Sequence, residues 1–477
     1  MDDNHYDVLI VGAGIAGSAL AYALSTSNPS SSRAPLRIGV LERSLAEPDR
    51  IVGELLQPGG VAALTTLGMR ACLDGIDAVP VHGYCVVEAG VPVHIPYPNA
   101  AEGRSFHHGR FIQALRAKAR TGKGVEMVEA TASGLVECAV TGRVIGVKAT
   151  RKGSEEKECF WAGLVVVADG CFSNFRGAVL GPGVARSTTK SHFVGAVLED
   201  AVLPIDKHGT VVLVKGFGPV LLYQIAARDT RILIDVKMPL PADLKQHILT
   251  NILPQLPAAV HLPLKNAMDK ERLRKMPNSF LPPVEQGAHT KEGVILLGDA
   301  WNMRHPLTGG GMTVALSDVV LLSALLSGAK DLGDWHEVSE LLHTWHWKRK
   351  PLSSTINILS VALYDLFGAD DEYLAVLRRG CFKYFERGGD CVEGPVSLLS
   401  GLAPAPLMLF RHFCAVAFYS IWVMFTHATP VPSSSPKAVG AVPGLDEYPA
   451  LLVKALRVFW TACIVFGPLL WSELRWW

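Results

Sequence analysis

Charge of one sign is missing from this chain. Lys and Arg number 45 and Asp and Glu 44, a formal balance of +1 over 477 residues. A nucleic-acid binder needs a basic surface to neutralise phosphates, so that class is excluded. Charge of either sign is also scarce, at 19% of residues against about 25% in soluble domains. Cys-x-x-Cys pairs are absent. The nine cysteines run from Cys72 to Cys463 and are odd in number; neither a zinc site nor a disulfide framework is indicated, and buried reduced thiols are the expectation. No basic, apolar leader precedes the first strand. The chain opens Met1-Asp2-Asp3-Asn4 and reaches an apolar run by Val8, so the bulk of the protein is expected on the cytosolic side. With 49% AVILMFWYC residues, it is too apolar to be disordered.

The C-terminus is poorest in charge. Of the 81 residues from Ser397 to Trp477 only eight are Asp, Glu, Lys or Arg, and none falls between Arg411 and Lys437. Leu407–Phe425 is 19 residues with one charge, the length that crosses a bilayer core. Val458–Ser472 is an uncharged run of 15, shorter than a full span. A Pro/Ser/Gly linker, Thr429–Pro443, separates them, and Trp471, Trp476 and Trp477 suit a headgroup-level belt. Two spans and an embedded hairpin both fit, given Arg411 and the breaks at Pro404, Pro406 and Gly467-Pro468.

At the other end, Tyr6–Val11 is an apolar strand that runs into Gly12-Ala13-Gly14-Ile15-Ala16-Gly17 and an Ala-rich helix, Ser18–Leu24. Gly12 makes the tight turn, Gly14 admits a pyrophosphate to the backbone, and Gly17 lets helix and strand meet closely. The helix N-terminus receives the phosphate charge. A second strand, Leu36–Leu41, ends at Glu42, a carboxylate suited to ribose hydroxyls. The Ser27–Pro35 loop lengthens the interval between the two. This motif alone does not separate FAD from NAD.

Two later stretches do. Leu164–Arg176 (LVVVADGCFSNFR) is a buried strand followed by Asp169-Gly170, Ser173 and Arg176. Val294–Met312 (VILLGDAWNMRHPLTGGGM) is another, followed by Gly298-Asp299 and a glycine turn into helix Thr313–Leu326. The trio resembles the flavoprotein monooxygenases of the para-hydroxybenzoate hydroxylase type. That resemblance implies an aspartate, Asp299, on a ribityl hydroxyl of FAD. It also aims the helix N-terminus at the pyrimidine end of the flavin, where reduced flavin is anionic and the helix dipole positive. With IVGELLQPGG at Ile51–Gly60, GRSFHHGRFI at Gly103–Ile112, FLPP at Phe280–Pro283 and MRHPLTGGGM at Met303–Met312, the chain is similar to the squalene monooxygenase (squalene epoxidase) family from Tyr6 to the apolar C-terminus.

The family resemblance implies an FAD enzyme that epoxidises squalene with O2 at the endoplasmic reticulum membrane. Its electrons come from NADPH through a separate cytochrome P450 reductase. By the same resemblance Gly12 to Gly17 hold the pyrophosphate and Glu42 and Arg43 meet the adenosine ribose. Arg50 and Leu55 flank the Gly53-Glu54 step beside the flavin, Arg110 opens the helix after the His-His-Gly turn, and Val125 begins the strand that passes the adenine. Asp299 and Met312 contact the flavin, and Gln57 and Tyr84 form a hydrogen-bonded pair in the active site. The short N-terminus and the Ser27–Pro35 insertion point to a fungal-like member. His107 and His108 lack an i, i+4 partner and read as turn residues rather than metal ligands, and Cys171 reads as packing.

The expected architecture is an α/β FAD-binding domain, Rossmann-like and of glutathione-reductase type, with an inserted α+β substrate domain and a C-terminal helical membrane-associated segment. FAD-binding parts are expected at 1–80, 106–185 and 286–330, substrate-domain parts at 81–105 and 186–285, helices at 331–396 and the membrane-associated segment at 397–477. An isolated alkene has no charge to hold, so the chemistry needs a dry apolar tunnel rather than a base on the substrate. Strands at His192–Leu198, Val211–Val214, Val220–Ala226 and Arg231–Val236, a helix at Asp243–Leu253, and helices near Trp335–Leu366 and Asp371–Arg387 can build it. The cationic residues of that region are expected at element ends. Two other readings remain open from sequence: an aromatic hydroxylase of the same superfamily reduced directly by NAD(P)H, and a prenyl-lipid carrier on the same fold.

Overall fold

Strand β1 (His5–Val11) carries no alternation in its second half: Val8 to Val11 are all buried. Such a run belongs to a parallel sheet covered on both faces. β1 pairs in parallel with β2 (Ile38–Glu42) and β10 (Lys157–Val167), β2 with β8 (Val125–Glu137), and β10 with β16 (Val294–Leu296). β8 and β10 are long enough to reach past this layer, where β9 (Val144–Arg151) joins both in antiparallel register. Helices α1 (Ile15–Thr26), α3 (His108–Arg120) and α7 (Gly311–Ser327) pack together beside this sheet, with α2 (Pro58–Thr66) against α7. In the parallel layer the carboxyl ends of β1, β2, β10 and β16 deliver Gly12, Glu42, Asp169 and Gly298 to one edge, where open α/β sheets bind their ligands. The computed structural model describes residues 4–27, 35–181, 187–270, 273–368, 371–427 and 442–474. The Ser27–Pro35 insertion and the Thr429–Pro443 linker fall largely outside them, and Met1 to Asp3, Trp476 and Trp477 wholly so.

A second, seven-stranded sheet stands over that edge. Its order is β15 (Arg274–Phe280), β11 (Thr188–Glu199), β14 (Asp229–Lys237), β13 (Val220–Gln224), β12 (Gly209–Leu213), β5 (Gly83–Glu88) and β6 (Val91–Pro96), all antiparallel except β12 with β5. Period-two alternation sorts its side chains. Val194, Ile232 and Ile234 face α6 (Ala258–Lys270) and the segment before it, while Phe193 and Leu233 face the opposite way, towards Leu307, Tyr364 and Phe367. The helix expected at Asp243–Leu253 is not continuous. A single α-turn, α5 (Leu244–His247), capped by the Asp243 carboxylate, widens over Ile248–Ile252 and tightens over Leu253–Gln255; Pro254 has no N–H to continue an α-helical ladder. A small sheet has the order β3 (Leu55–Leu56), β7 (Gly103–Ser105) and β4 (Val79–Val81), and in the chain β5 and β6 of the seven-stranded sheet fall between its β4 and β7. The short α4 (Arg176–Leu180) follows β10.

Helices α8 (Trp335–Phe367), α9 (Glu372–Phe385) and α10 (Asp390–Leu399) carry the chain to α11 (Pro406–Thr426) and α12 (Tyr448–Leu474). α12 is nearly twice the uncharged run Val458–Ser472 and passes through Pro468 without ending. Its first turns hold two cations that leave the apolar pattern intact by bonding α9: Lys454 to Glu372 (3.4 Å) and Arg457 to the Tyr373 hydroxyl (2.9 Å). Val458, Ala462 and Phe466, spaced by four, are buried on its inner face. Leu452, Leu456, Trp460, Ile464 and Trp471 stand exposed on the other. Both α11 and α12 are long and apolar enough to cross a membrane. Arg411 of α11 is met by Asp390 at 2.5 Å.

Candidate active site

The glycine turn after β1 has the spacing its packing demands. Gly12 adopts φ +105°, and a Cβ there would sit 2.5 Å from the Ala168 carbonyl oxygen. A Cβ on Gly17 would overlap the Gly12 carbonyl, so α1 meets β1 only because both positions are glycine. Gly14 differs: a Cβ would touch nothing within 4 Å, because Gly14 lines open space. At the end of β2, Glu42 accepts the Ala13 N–H (2.8 Å) and lies 3.4 Å from the guanidinium of Arg116. Arg116, buried in α3, donates to the Ala13 carbonyl (2.9 Å); burial pushes its pKa down and Glu42 pulls it back.

Two cavities meet at Gly14, Arg50, His108, Ala168 and Cys171 and form one long cleft. The larger, about 1270 Å³, holds Gly12, Glu42, Arg43 and Arg50 among the expected residues. The smaller, about 380 Å³, holds Ile15, Ala16, Arg50, Leu55, Gln57, Tyr84, Asp299 and Met312. Ala13 is buried beneath, with its peptide tied to Glu42 and Arg116. Arg176, named with the second motif, braces the third: it donates to the carbonyls of Asp299 (2.9 Å) and Ala300 (2.7 Å).

Gly17, expected on the pyrophosphate, is buried against Gly12 and Ile10 and lines neither cavity, and two further expected residues stand away from the cleft. Arg110 is exposed and faces Asp77 at 3.8 Å. Six residues further along α3, a rotation of about 240°, Arg116 faces the cleft instead. Val125 begins β8 level with Ile38, whereas Glu42 is level with Glu129; the strand reaches the cleft only at Ala130, Thr131 and Ala132. Ligands gather at carboxyl ends of parallel strands, and Val125 is at the amino end.

The expected Gln57–Tyr84 bond is replaced by another. Gln57 accepts from the Tyr97 hydroxyl (2.6 Å) and donates to the Thr308 carbonyl (2.8 Å). Tyr84 packs edge-on against Tyr97, ring centroids 5.3 Å apart, and its own buried hydroxyl has no hydrogen-bond partner among the described residues. The Tyr97 hydroxyl and Gln57 still lie close enough to pull its pKa down, but burial outweighs them and pushes it well up, so the phenol stays neutral. His108 is a turn residue that also walls the cleft: Nδ1 donates to the Gly53 carbonyl (2.8 Å), and burial holds its pKa at about 4. His107 meets Asp229 at 2.9 Å. Cys171 is 3.6 Å from the Arg50 guanidinium.

Sequence reasoning also missed a buried ion pair. Arg231 is inside β14, not at an element end, and binds the Glu54 carboxylate through two bonds of 2.7 and 2.8 Å. It ties the second sheet to the Gly53-Glu54 step, so the wall of the cleft depends on both large sheets. Tyr97 and Arg231 gave no motif signal, since their partners lie 40 and 177 residues away. Arg116 could have been found by turning the helix from the His-His-Gly motif.

The residues present fit a flavin dinucleotide. The cleft is elongated, Gly14 leaves room at its waist, Glu42 stands at one end and the N-terminal turn of α7 at the other. Among the described residues, Asp169 keeps one buried carboxylate oxygen, Oδ1, without a partner. The architecture is that of the FAD-dependent monooxygenases. p-Nitrophenol 4-monooxygenase PnpA from Pseudomonas putida superposes with a TM-score of 0.66 at 16% identity, covering 85% of this chain and 97% of that one. HpxO of Klebsiella pneumoniae, solved with FAD, gives 0.62 at 18% identity over 84% and 100%. These likenesses show the fold of this chain. The squalene epoxidase family model matches residues 161–438. Squalene epoxidase erg1 of Aspergillus fumigatus is 46% identical over 98% of this chain and 94% of its own length, and mouse squalene monooxygenase 42% over 98% and 78%. The chain belongs to the squalene epoxidase family, and is thereby a flavoprotein monooxygenase with FAD as its cofactor.

Proposed function

We propose that this protein epoxidises squalene at the 2,3-double bond with O2. Electrons come from NADPH through cytochrome P450 reductase, and the product feeds sterols or another triterpenoid. The observation that carries this reading is 46% identity to a squalene epoxidase across nearly the whole of both chains. When bound, FAD supplies oxygen activation and an electrophilic oxygen atom. The chain's own residues have a simpler task. Gly14, Glu42, Asp299 and the first turn of α7 hold the cofactor. Val211, Leu221, Leu233 and Leu307 give the smaller cavity an apolar wall that orients an alkene and excludes water. Tyr84 and Gln57 stand on the substrate path, both neutral, which suits a substrate without charge.

Squalene is dissolved in the bilayer, and α11 and α12 explain its delivery. Phe418 and Trp422 of α11 and Leu456 and Trp460 of α12 form an exposed apolar face. α12 is bonded to the rest of the protein at both ends, at Lys454 and Arg457 and again at Glu473. That docking supports two helices embedded by one face in the endoplasmic reticulum membrane, with the catalytic part on the cytosolic side. The test is turnover of squalene by detergent-purified protein with FAD, NADPH and added reductase. Epoxide should form only when the reductase is present. NADPH oxidation by the protein alone, without epoxide, would return the reading to a directly reduced hydroxylase.

A further inference from the structure

Between Arg457 and Glu473, α12 carries no charge. A carboxylate at the end of so apolar a helix would be costly in lipid, and Glu473 instead turns inward and is buried. Its Oε2 accepts from the Ser354 hydroxyl (2.7 Å) and its Oε1 from the Asn357 amide (3.0 Å), both on α8. Asn357 passes the charge on: its Oδ1 accepts from Nε of Arg304 (2.8 Å). The amide cannot be turned over, because its NH2 would then face a guanidinium and its oxygen a carboxylate. Arg304 also donates to Asn302 Oδ1 (2.5 Å), which Arg349 shares (3.2 Å), and Arg349 is held in two bonds by Asp318 (2.7 and 2.8 Å).

Arg304 lines the flavin cleft, in the loop between Asp299 and the Gly309–Gly311 turn. Buried charge is tolerated only when paired. Asp318 answers Arg349, which leaves Arg304 between Asp299 on the cleft side and Glu473 behind it. Burial pushes the Arg304 pKa down to about 10, while Asp299, Asp318 and Glu473 pull it up and Arg349 opposes them. Lys350 also feels Glu473.

We infer that Glu473 is a positioning residue for the flavin cleft, holding Arg304 back through Asn357 so that the Asp299 carboxylate stays free for the cofactor. The inference rests on the assignment of the cleft to FAD. Without the Glu473 charge, the anions left acting on Arg304 are Asp299 and Asp318; Arg349 holds Asp318 in two bonds, so Arg304 turns to Asp299, the carboxylate the flavin needs. The membrane-facing helix thereby sets the affinity of a site on the opposite side of α8.

The experiment titrates full-length apoprotein with FAD and follows quenching of flavin fluorescence. Glu473→Gln keeps size and an acceptor but removes the charge. It should raise the FAD dissociation constant about tenfold, the scale of one charge-assisted hydrogen bond. Sedimentation with membranes should not change. Lys454→Gln, also on α12, should leave FAD affinity alone. An unchanged dissociation constant in Glu473→Gln overturns the inference. If Glu473→Gln weakens binding by loosening the fold, a double-mutant cycle with Arg304→Met separates the cases. The inference requires that Glu473→Gln add no further loss in the Arg304→Met background, and losses that multiply overturn it. Wild-type apoprotein that takes up no FAD would remove the cleft assignment itself, a result distinct from the mutant's.

Discussion

Tyr84 and Tyr97 are adjacent rings with opposite accounts. Tyr97 completes Gln57, whereas the Tyr84 hydroxyl is buried without a full hydrogen bond among the described residues. Tyr97→Phe leaves the Gln57 oxygen bare and should cost about 1–3 kcal/mol, read as a lower denaturation midpoint. Tyr84→Phe removes a hydroxyl that only brushes Tyr97 and Gln57, and should leave the midpoint unchanged or slightly raised. If the hydroxyl serves the substrate path, turnover per bound flavin falls while FAD content holds. Equal stability losses in both variants would contradict this arrangement. His108 gives a pH dependence. Its pKa is about 4 in the fold and near the ordinary 6.5 when unfolded, so the unfolded chain binds the extra proton between those values. Stability therefore falls as pH drops from about 6.5 to about 4, by roughly 3 kcal/mol for this group, and then levels. His346, also pushed down to about 4 by burial, adds to the same trend. His108→Gln should flatten the curve in that window, and an identical curve would contradict the buried neutral imidazole. The residues legible in the sequence were those whose roles are local: a glycine turn, a carboxylate ending a strand, an aspartate after a strand. Arg116, Tyr97 and Arg231 act across the fold, and no spacing announces them.

Elements were more legible than their ends. The three strand–turn–helix units came from unbroken apolar runs with glycines after them, and the sheet brings their turns to one edge. Val125 shows the limit. The strand was correctly placed, but which end meets the cleft depends on parallel register, known only once β2 and β8 are paired. The uncharged run Val458–Ser472 covers little more than half of α12, because Lys454 and Arg457 occupy its early turns and are absorbed by α9. Its two faces make separate predictions. Leu456→Glu with Trp460→Glu, both on the exposed face, should release protein from membranes while FAD binding persists. Val458→Asp, on the buried face, should destabilise the fold by several kcal/mol, about the cost of an unpaired buried charge. Full membrane retention by the exposed-face double variant would place the anchor elsewhere.

For the whole molecule, residues of both large sheets line one cleft, the Glu54–Arg231 pair ties the seven-stranded sheet to the Gly53-Glu54 step in its wall, and the apolar helices pack on α8 and α9. Fold and cofactor could be read from three motifs in order. The apolar tunnel could not, since its lining comes from strands separated by more than a hundred residues and set side by side only by the seven-stranded sheet. The central claim is that this cleft uses FAD to place one oxygen atom of O2 on a squalene double bond. Its most direct test is mass analysis of the product formed under isotopically labelled dioxygen by FAD-loaded protein with NADPH and reductase. The account predicts 2,3-epoxysqualene carrying a single labelled oxygen, with none arising when labelled water replaces labelled dioxygen. Product without the label, or squalene recovered unchanged by flavin-replete protein, would contradict it.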